Sequence, residues 1–182
     1  MKDIKNKTCV FCGVEFRPFR TTQRTCSTRC AIGFAREKEE KKEKRLWNTE
    51  KKKRKEALLS HSEWLKLLQV AFNAYIRKRD EKEGCISCGT TANVQYAAGH
   101  FFTVGGFPNV RFDEDNVHKQ CNKRCNGELS GNIIDYRPAL IKKIGIERFE
   151  ALEKRARTES GKMSIPEIKE KIKYYKQKIK EI

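Results

Sequence analysis

Eight cysteines in four close pairs constrain this chain more than any other feature of its sequence. They form two sets with the spacing of four-thiolate zinc sites: Cys9, Cys12, Cys26 and Cys30, followed by Cys85, Cys88, Cys121 and Cys125. Four thiolates fill the tetrahedral shell of a structural zinc ion and leave no open position for chemistry. We therefore expect two Zn²⁺ ions to fold small modules, and any reaction to use residues that the second set holds in place.

The composition argues against one large apolar core. Of 182 residues, 37% are hydrophobic and 36% are charged. The formal net charge of +17 indicates a polyanion as partner, with DNA or RNA favoured. No stretch approaches the roughly 18 apolar residues of a membrane span, and the first residues lack the apolar segment of a signal peptide. We predict a cytoplasmic protein with no membrane partner, in which paired cysteines indicate zinc rather than disulfides.

Residues 1–34 are predicted to form an N-terminal zinc knuckle with a short hairpin between its cysteine pairs. Zinc binding would supply its folding free energy, because few apolar residues are available to build a core. The module is basic, and its arginines either contact nucleic acid or are only solvated: Arg17, Arg20, Arg24 and Arg29.

Residues 35–59 are almost wholly charged and are predicted to form a long charged helix. Strong helix formers fill the segment without glycine or proline, and Glu and Lys recur four residues apart. The simpler interpretation is a spacer. The alternative is a basic rod beside DNA, with phosphate contacts from Lys51, Lys52, Lys53, Arg54 and Lys55.

Residues 60–182 are predicted to form the main domain, with its core at residues 84–137. A capping-box pattern at Ser60 and Glu63 precedes a helix whose apolar residues recur three and four apart. The expected fold class is α+β, built from small zinc-stabilised modules.

Inside that core the pattern predicts two strands and a helix. Val94 to Phe102 is expected as a strand and Asn109 to Phe112 as its return, with glycines in the turn between them. The residues after Cys121 are predicted to form a short helix that ends at Gly131. Further DNA contacts are expected from basic residues in this region: Arg111, Lys119, Lys123 and Arg124.

Toward the C-terminus, Pro138 is predicted to begin a helix, because its missing N–H is not needed in a first turn. Ser164 and Glu167 form a second capping-box pattern before a final helix with a short apolar seam. The seam is expected to pack on the chain's own helices. The alternative is a homodimer in which two seams pair.

The segments CISCGT, AGHF, RFDEDNVHKQC, CN and LSGN, in that order, resemble the HNH and endonuclease VII nucleases in general and the phage-lambda NinG (Rap) recombination family in particular. The N-terminal cysteine module and the helix with FNAYIRKRD are similar to that family too, so the resemblance covers most of the chain. It implies a ββα-metal, treble-clef-like module. It also implies a structure-specific endonuclease for branched DNA such as Holliday junctions, located in the host cytoplasm if the protein is phage-encoded.

Phosphodiester hydrolysis needs a base for water and an electrophile for the phosphate. A neutral imidazole suits the first role near pH 7, and His100 is the predicted general base. Asn116 is expected to orient His100 through a hydrogen bond, as the middle residue of an HNH motif does. Mg²⁺ or Mn²⁺ would supply the second role, and the resemblance implies Asn126 as a ligand. His118 is expected mainly to pack near the second cysteine set, with a role as a cation ligand or phosphate contact as the alternatives.

The chain departs from the nuclease pattern next to His100. HNH nucleases usually carry a metal-binding Asp or His directly before the base, where this chain has Gly99, and the family motif can carry Asp three places ahead, where it has Ala97. Either another residue completes the cation shell, His100 is itself a ligand, or activity is weak or lost. The candidates for completing it are His118, Asp113 and Asp115. The alternative function is a weak or inactive zinc-dependent DNA-binding accessory protein of recombination.

Overall fold

The first cysteine module folds around a short antiparallel ribbon. The computed structural model describes residues 5–158 and 162–182. Strand β1 (Lys7–Thr8) pairs with strand β2 (Glu15–Phe16), and Gly13 adopts the left-handed conformation (φ +76°) in the turn between them. The ribbon brings the first cysteine pair beside the second.

Helix α1 (Thr28–Ala57) is continuous for 30 residues and begins inside the cysteine module. Its N-cap is Ser27, whose hydroxyl oxygen accepts a hydrogen bond from the backbone N–H of Cys30 at 3.2 Å. The predicted division at residue 34 therefore falls within one helix. None of the helix's residues is buried, as its charged sequence leads us to expect.

The chain divides into two compact units, one ending at Leu59 and the other spanning Ser60–Ile182. In the second unit, helix α2 (His61–Arg79) begins with the predicted capping box at Ser60 and Glu63. Its buried face carries the apolar residues that the periodicity indicated, apart from Leu67, which is exposed: Trp64, Leu68, Ala71, Phe72, Tyr75 and Ile76.

Helix α5 (Ile165–Glu181) packs on α2. The ring of Tyr175 in α5 lies 5.0 Å from the ring of Phe72 and 5.3 Å from that of Tyr75, measured between centroids. Its predicted capping box, Ser164 with Glu167, is present. The apolar seam thus packs on the chain's own helix, which was the preferred prediction.

A two-stranded antiparallel hairpin forms the centre of the second unit. Strand β3 (Tyr96–His100) pairs with strand β4 (Val117–Cys121), and His100 stands opposite Val117. The predicted return strand at 109–112 is wrong: a single 3₁₀ turn, Pro108–Val110, lies there instead. The polar segment after this turn forms ion pairs with Arg148 and Arg155. The chain pairs with β3 only from Val117 onward.

A π-helical turn (Asn122–Glu128) follows β4 and packs on both strands. Helices α3 (Ile133–Ile144) and α4 (Ile146–Arg157) come next, joined at Gly145 with φ +86°. The predicted helix start at Pro138 is wrong, because α3 begins at Ile133 and contains the proline. The core beside the hairpin is apolar: Phe101, Val110, Tyr136, Leu140, Phe149, Leu152 and Ala156.

None of the helices in the described ranges is both long enough and apolar enough to cross a membrane.

Candidate functional site

The first four cysteines converge on one point. The sulfur atoms of Cys9, Cys12, Cys26 and Cys30 lie within 4.8 Å of one another. The Sγ atoms of Cys12 and Cys26 are 3.6 Å apart, and those of Cys26 and Cys30 are 3.5 Å apart. Tetrahedral zinc with bonds of about 2.3 Å to sulfur holds its ligands about 3.8 Å from each other, so these distances fit a zinc ion.

The second set converges equally well and is more buried. The sulfur atoms of Cys85, Cys88, Cys121 and Cys125 also lie within 4.8 Å of one another, and the Sγ atoms of Cys88 and Cys121 are 3.8 Å apart. Backbone N–H groups donate to two of the sulfurs, from Cys121 to Cys85 at 3.3 Å and from Cys125 to Cys121 at 3.4 Å. Such donors stabilise thiolates. This cluster could hold a zinc ion that ties β4 and the π-helical turn to the Cys85 loop.

His100 is the last residue of β3 and is partly buried. Its Nε2 atom lies 3.0 Å from the backbone carbonyl oxygen of Arg111. A carbonyl only accepts, so the neutral ring carries its proton on Nε2 and its lone pair on Nδ1. Burial lowers the pKa of His100; the hydrogen bond to the Arg111 backbone opposes this shift, and the positive charge of the Arg111 guanidinium adds to it. The ring is therefore held neutral and in one tautomer, as a general base must be.

Asn116 does not perform the predicted role of orienting His100. It is fully buried, and its Oδ1 atom accepts a hydrogen bond from the backbone N–H of Phe102 at 2.7 Å. Its Nδ2 atom donates to the carbonyl oxygens of Phe102 at 3.0 Å and Val110 at 2.9 Å. The amide is thus occupied by the loop between the two strands. Asn116 acts on His100 only through the shape of that loop, which also carries Arg111.

His118 lies in the interior of the second unit. Its Nδ1 atom is 3.2 Å from the hydroxyl oxygen of Tyr136, and that hydroxyl donates to the carbonyl oxygen of Gly99 at 3.0 Å. Burial lowers the pKa of His118 to about 3. The arrangement matches the predicted packing role and does not favour a ligand role. Sequence reasoning missed Tyr136, for which the only signal was an aromatic residue in the segment after the second cysteine set.

The acidic residues predicted as possible cation ligands form ion pairs with arginines of α4. The Nε atom of Arg155 lies 2.7 Å from Oδ2 of Asp113, and its Nη2 atom lies 3.0 Å from Oδ2 of Asp115. Arg148 pairs with Asp115 as well. Among the described residues, the groups of three or more His, Cys, Asp or Glu placed to hold a metal are the two cysteine clusters. Asp113 and Asp115 are therefore not free to complete a cation site.

Asn126 lies in the π-helical turn and is partly buried. Its side chain forms no hydrogen bond with the residues that the structure describes. A carboxamide oxygen of this kind is a hard donor suited to Mg²⁺ or Mn²⁺.

The basic residues predicted to contact DNA differ in the contacts that they already make within the protein. Lys119 donates to the carbonyl oxygens of Glu81 at 3.0 Å and Glu83 at 2.7 Å, and its ammonium lies 4.2 Å from the Tyr96 ring. The ammonium therefore braces the chain after α2, which does not favour the predicted DNA contact. Arg111 donates to Oε1 of Gln69 at 2.6 Å.

Most of the other predicted DNA contacts lie in the N-terminal unit, and Lys123 and Arg124 lie in the π-helical turn. The Arg24 guanidinium lies over the Phe34 ring, and Lys52 and Arg54 pair with acidic residues one helical turn away. The remaining basic residues with exposed side chains are Arg17, Arg20, Arg29, Lys51, Lys53, Lys55, Lys123 and Arg124.

The fold and the clusters define a strongly basic α+β protein with two four-cysteine modules, each of which could hold a zinc ion. Residues 1–182 match the family model described as Bacteriophage Lambda NinG protein, and the chain belongs to this NinG family of phage proteins.

Named relatives support the same assignment. Protein ninG of Salmonella phage P22 is 38% identical over 181 residues, covering 89% of each chain. Protein ninG of Escherichia phage lambda is 38% identical over 185 residues, covering 94% of this chain and 89% of the relative. Protein ninG of Escherichia phage 933W is 49% identical over 100 residues, covering 55% of this chain and 49% of the relative. No solved structure matches the chain.

Proposed function

We propose that this protein is a metal-dependent endonuclease that cuts branched DNA, such as Holliday junctions, during phage recombination. The observation that carries the proposal is the hydrogen bond between Nε2 of His100 and the carbonyl oxygen of Arg111. It leaves the Nδ1 lone pair to take a proton from the attacking water. The hairpin β3–β4, the cysteine cluster and the π-helical turn support an HNH-like, ββα-metal arrangement around this base.

A divalent cation, Mg²⁺ or Mn²⁺, would stabilise the charge that develops on the phosphate and the leaving oxygen. The carboxamide of Asn126, which has no hydrogen-bond partner among the described residues, suits one ligand position. His100 holds the proton that water loses, and the loop fixed by Asn116 keeps the imidazole in place. Zinc in the cysteine clusters would serve only as scaffold, because four thiolates complete its shell.

Branched DNA is the proposed partner on grounds of charge. The net charge of +17 favours a polyanion, and the exposed Lys123 and Arg124 lie in the same π-helical turn as Asn126. A homodimer would present two nuclease sites to a four-way junction, which is itself symmetric. Sedimentation of the protein with and without junction DNA tests that arrangement. The site of action is the cytoplasm of the infected host.

Nicking of a synthetic four-way junction tests the function. The wild-type protein should cut in the presence of Mg²⁺, and His100→Ala should cut about 10²–10⁴-fold more slowly, the usual contribution of a general base. His61→Ala is the matched control, because it removes another histidine, whose ring bonds the carbonyl oxygen of Met163 at 2.7 Å. Equal cutting by wild type and His100→Ala would reject His100 as the base.

A second function is favoured by one specific observation. Near the site in sequence, Asp113 and Asp115 are paired with Arg155, and the carboxylate of Glu114 accepts a hydrogen bond from the Tyr75 hydroxyl at 2.8 Å. Residues 97 and 99 carry no carboxylate. A protein of this kind could bind branched DNA as a recombination accessory without cutting it. Tight, salt-sensitive binding of the four-way junction by wild type, with no nicking in Mg²⁺ or Mn²⁺, would establish this alternative.

A further inference from the structure

The side chain of Gln120 is fully buried in β4, and its two ends are not equally satisfied. Its Nε2 atom donates to the hydroxyl oxygen of Ser87 at 2.7 Å and to the carbonyl oxygen of Gly131 at 2.6 Å. Among the buried side-chain nitrogen and oxygen atoms within residues 5–158 and 162–182, its Oε1 atom is the one with no hydrogen-bond partner. A buried oxygen without a hydrogen-bond partner is destabilising, and a bound water or ion is one way to satisfy it.

The orientation of this carboxamide is determined by its hydrogen bonds. A rotated amide would direct its oxygen at the carbonyl oxygen of Gly131, and two acceptors cannot bond one another. The Oε1 atom of Gln120 is therefore directed away from Gly131.

Gly99, the residue before His100, makes room for that oxygen. A Cβ atom at position 99 would overlap Oε1 of Gln120 and lie 2.9 Å from the Gln120 Cβ. The distance from Oε1 of Gln120 to a Cβ built at residue 99 is close to the distance between Cβ and a carboxylate oxygen within one aspartate side chain. Those two aspartate atoms are two covalent bonds apart. Gln120 thus supplies an oxygen beside the residue where HNH-like nucleases place an acidic ligand.

We propose that Oε1 of Gln120 is a ligand for the divalent cation of this site, replacing the carboxylate that residue 99 lacks. This role rests on the proposed nuclease function, which requires the cation. Gln120 lies on the strand paired with that of His100, and Asn126 lies on the helical turn that packs on both strands. In this proposal each of the two elements supplies one carboxamide oxygen.

Two uncharged oxygens suit a hard cation but leave its charge uncompensated. Phosphate oxygens of DNA would complete the shell, as substrate phosphates do at many Mg²⁺ sites. The site therefore has low cation affinity in the free protein and higher affinity when DNA is bound.

Binding of Mn²⁺ tests the assignment separately from catalysis. The full chain with zinc in both clusters, in a His100→Ala background so that DNA stays uncut, is titrated with Mn²⁺ with and without a four-way junction. Free Mn²⁺ is followed by electron paramagnetic resonance. Gln120→Met, which keeps the volume and loses the oxygen, should weaken DNA-dependent Mn²⁺ binding by roughly tenfold or more.

The matched control is Ser87→Ala. It removes a hydrogen bond from the same carboxamide but leaves Oε1 in place, so Mn²⁺ affinity should not change. Gln120→Glu adds a negative charge at the ligand position and should tighten Mn²⁺ binding, a gain that misfolding cannot produce. Gly99→Ala should weaken it, because the new methyl group displaces the oxygen without removing a ligand.

Equal Mn²⁺ affinity for the parent protein and Gln120→Met overturns the assignment, and so does Gln120→Glu binding no more tightly than the parent. The nuclease proposal fails on a different result. A wild-type protein that binds Mn²⁺ through Gln120 but never nicks the junction supports this ligand and rejects the nuclease.

Discussion

The Nε2 atom of His100 lies 3.0 Å from the carbonyl oxygen of Arg111, a backbone atom eleven residues further along the chain. The contact fixes the tautomer, while burial holds the pKa of His100 below its usual value. The neutral base should therefore persist into mildly acidic solution. Nicking should fall on acidification with a midpoint below about 6.5, the unperturbed histidine value.

The pH dependence of single-turnover nicking checks this prediction, with zinc content measured at each pH. The cleavage rate should stay level from pH 8 down to about pH 6.5 and decline only below that. A midpoint at or above the unperturbed histidine value would contradict a depressed pKa.

Asn116→Ala removes three hydrogen bonds from the loop between β3 and β4 and leaves their partners at Phe102 and Val110 unsatisfied. The free energy of unfolding should fall by about 2–4 kcal/mol, measured by urea denaturation. Nicking should fall too, although Asn116 does not touch His100. Asn122→Ala is the control, since its partly exposed amide makes one bond, to Gln95. Similar stability losses in the two variants would contradict the bracing role.

His118 should make the protein acid-sensitive. Its folded-state pKa of about 3 lies below the unfolded value near 6.5, so the unfolded chain binds the proton first. The stabilisation from neutral His118 is complete above about pH 6.5 and is lost as pH falls toward 3. The difference in unfolding free energy between wild type and His118→Gln should therefore shrink on acidification. Comparing the two variants cancels the acid sensitivity of the thiolates, and a constant difference would refute the depressed pKa.

Lys119 and Lys123 lie four residues apart, but their substitution should have different effects on DNA binding and on stability. Lys123→Ala should weaken junction binding and reduce the salt slope of log K by about 0.9, one phosphate contact, without loss of stability. Lys119→Ala should lower stability by about 1 kcal/mol, because its ammonium binds two carbonyl oxygens, and should leave the salt slope unchanged. Binding over a salt series and thermal denaturation measure both. An altered slope for Lys119→Ala would place that side chain on DNA.

The parts of the fold that sequence could predict depend on local signals. The spacing of Cys85 and Cys88 determines a knuckle without reference to the rest of the chain. The capping box at Ser60 and the three- and four-residue spacing of apolar residues in α2 are local as well. These signals remain valid because the side chains that produce them interact within a few residues.

The parts that failed depend on distant partners. Residues 109–112 look like a strand, but Asp113 and Asp115 beyond them bond Arg155, forty or more residues away. Asn109 also donates to the carbonyl oxygens at the end of α4, including that of Thr158 at 2.7 Å. The return strand is delayed until residue 117, and no local pattern reveals those contacts.

The candidate site shows the same limit. The sequence indicated His100 and Asn116 as candidate site residues, but it did not indicate the hydrogen-bond partners of either side chain. Gln120 could be found only once β4 was placed at Val117–Cys121, since that register sets Gln120 opposite Ala97 and beside Gly99. That the buried amide of Gln120 fills the space of the side chain absent at Gly99 can be recognised only when the strand pairing is known.

The first turn of α1 contains Cys30, so one sulfur of the N-terminal cluster belongs to the charged helix itself. A helix of 30 residues extends about 45 Å, and this one has no apolar face of its own to fix its course. A zinc ion in that cluster would tie this end of the helix to the small hairpin, where the Phe11 ring also lies against Gly33 and the Arg24 guanidinium lies over the Phe34 ring. With zinc bound there, four thiolates would determine where a long array of positive and negative charges begins.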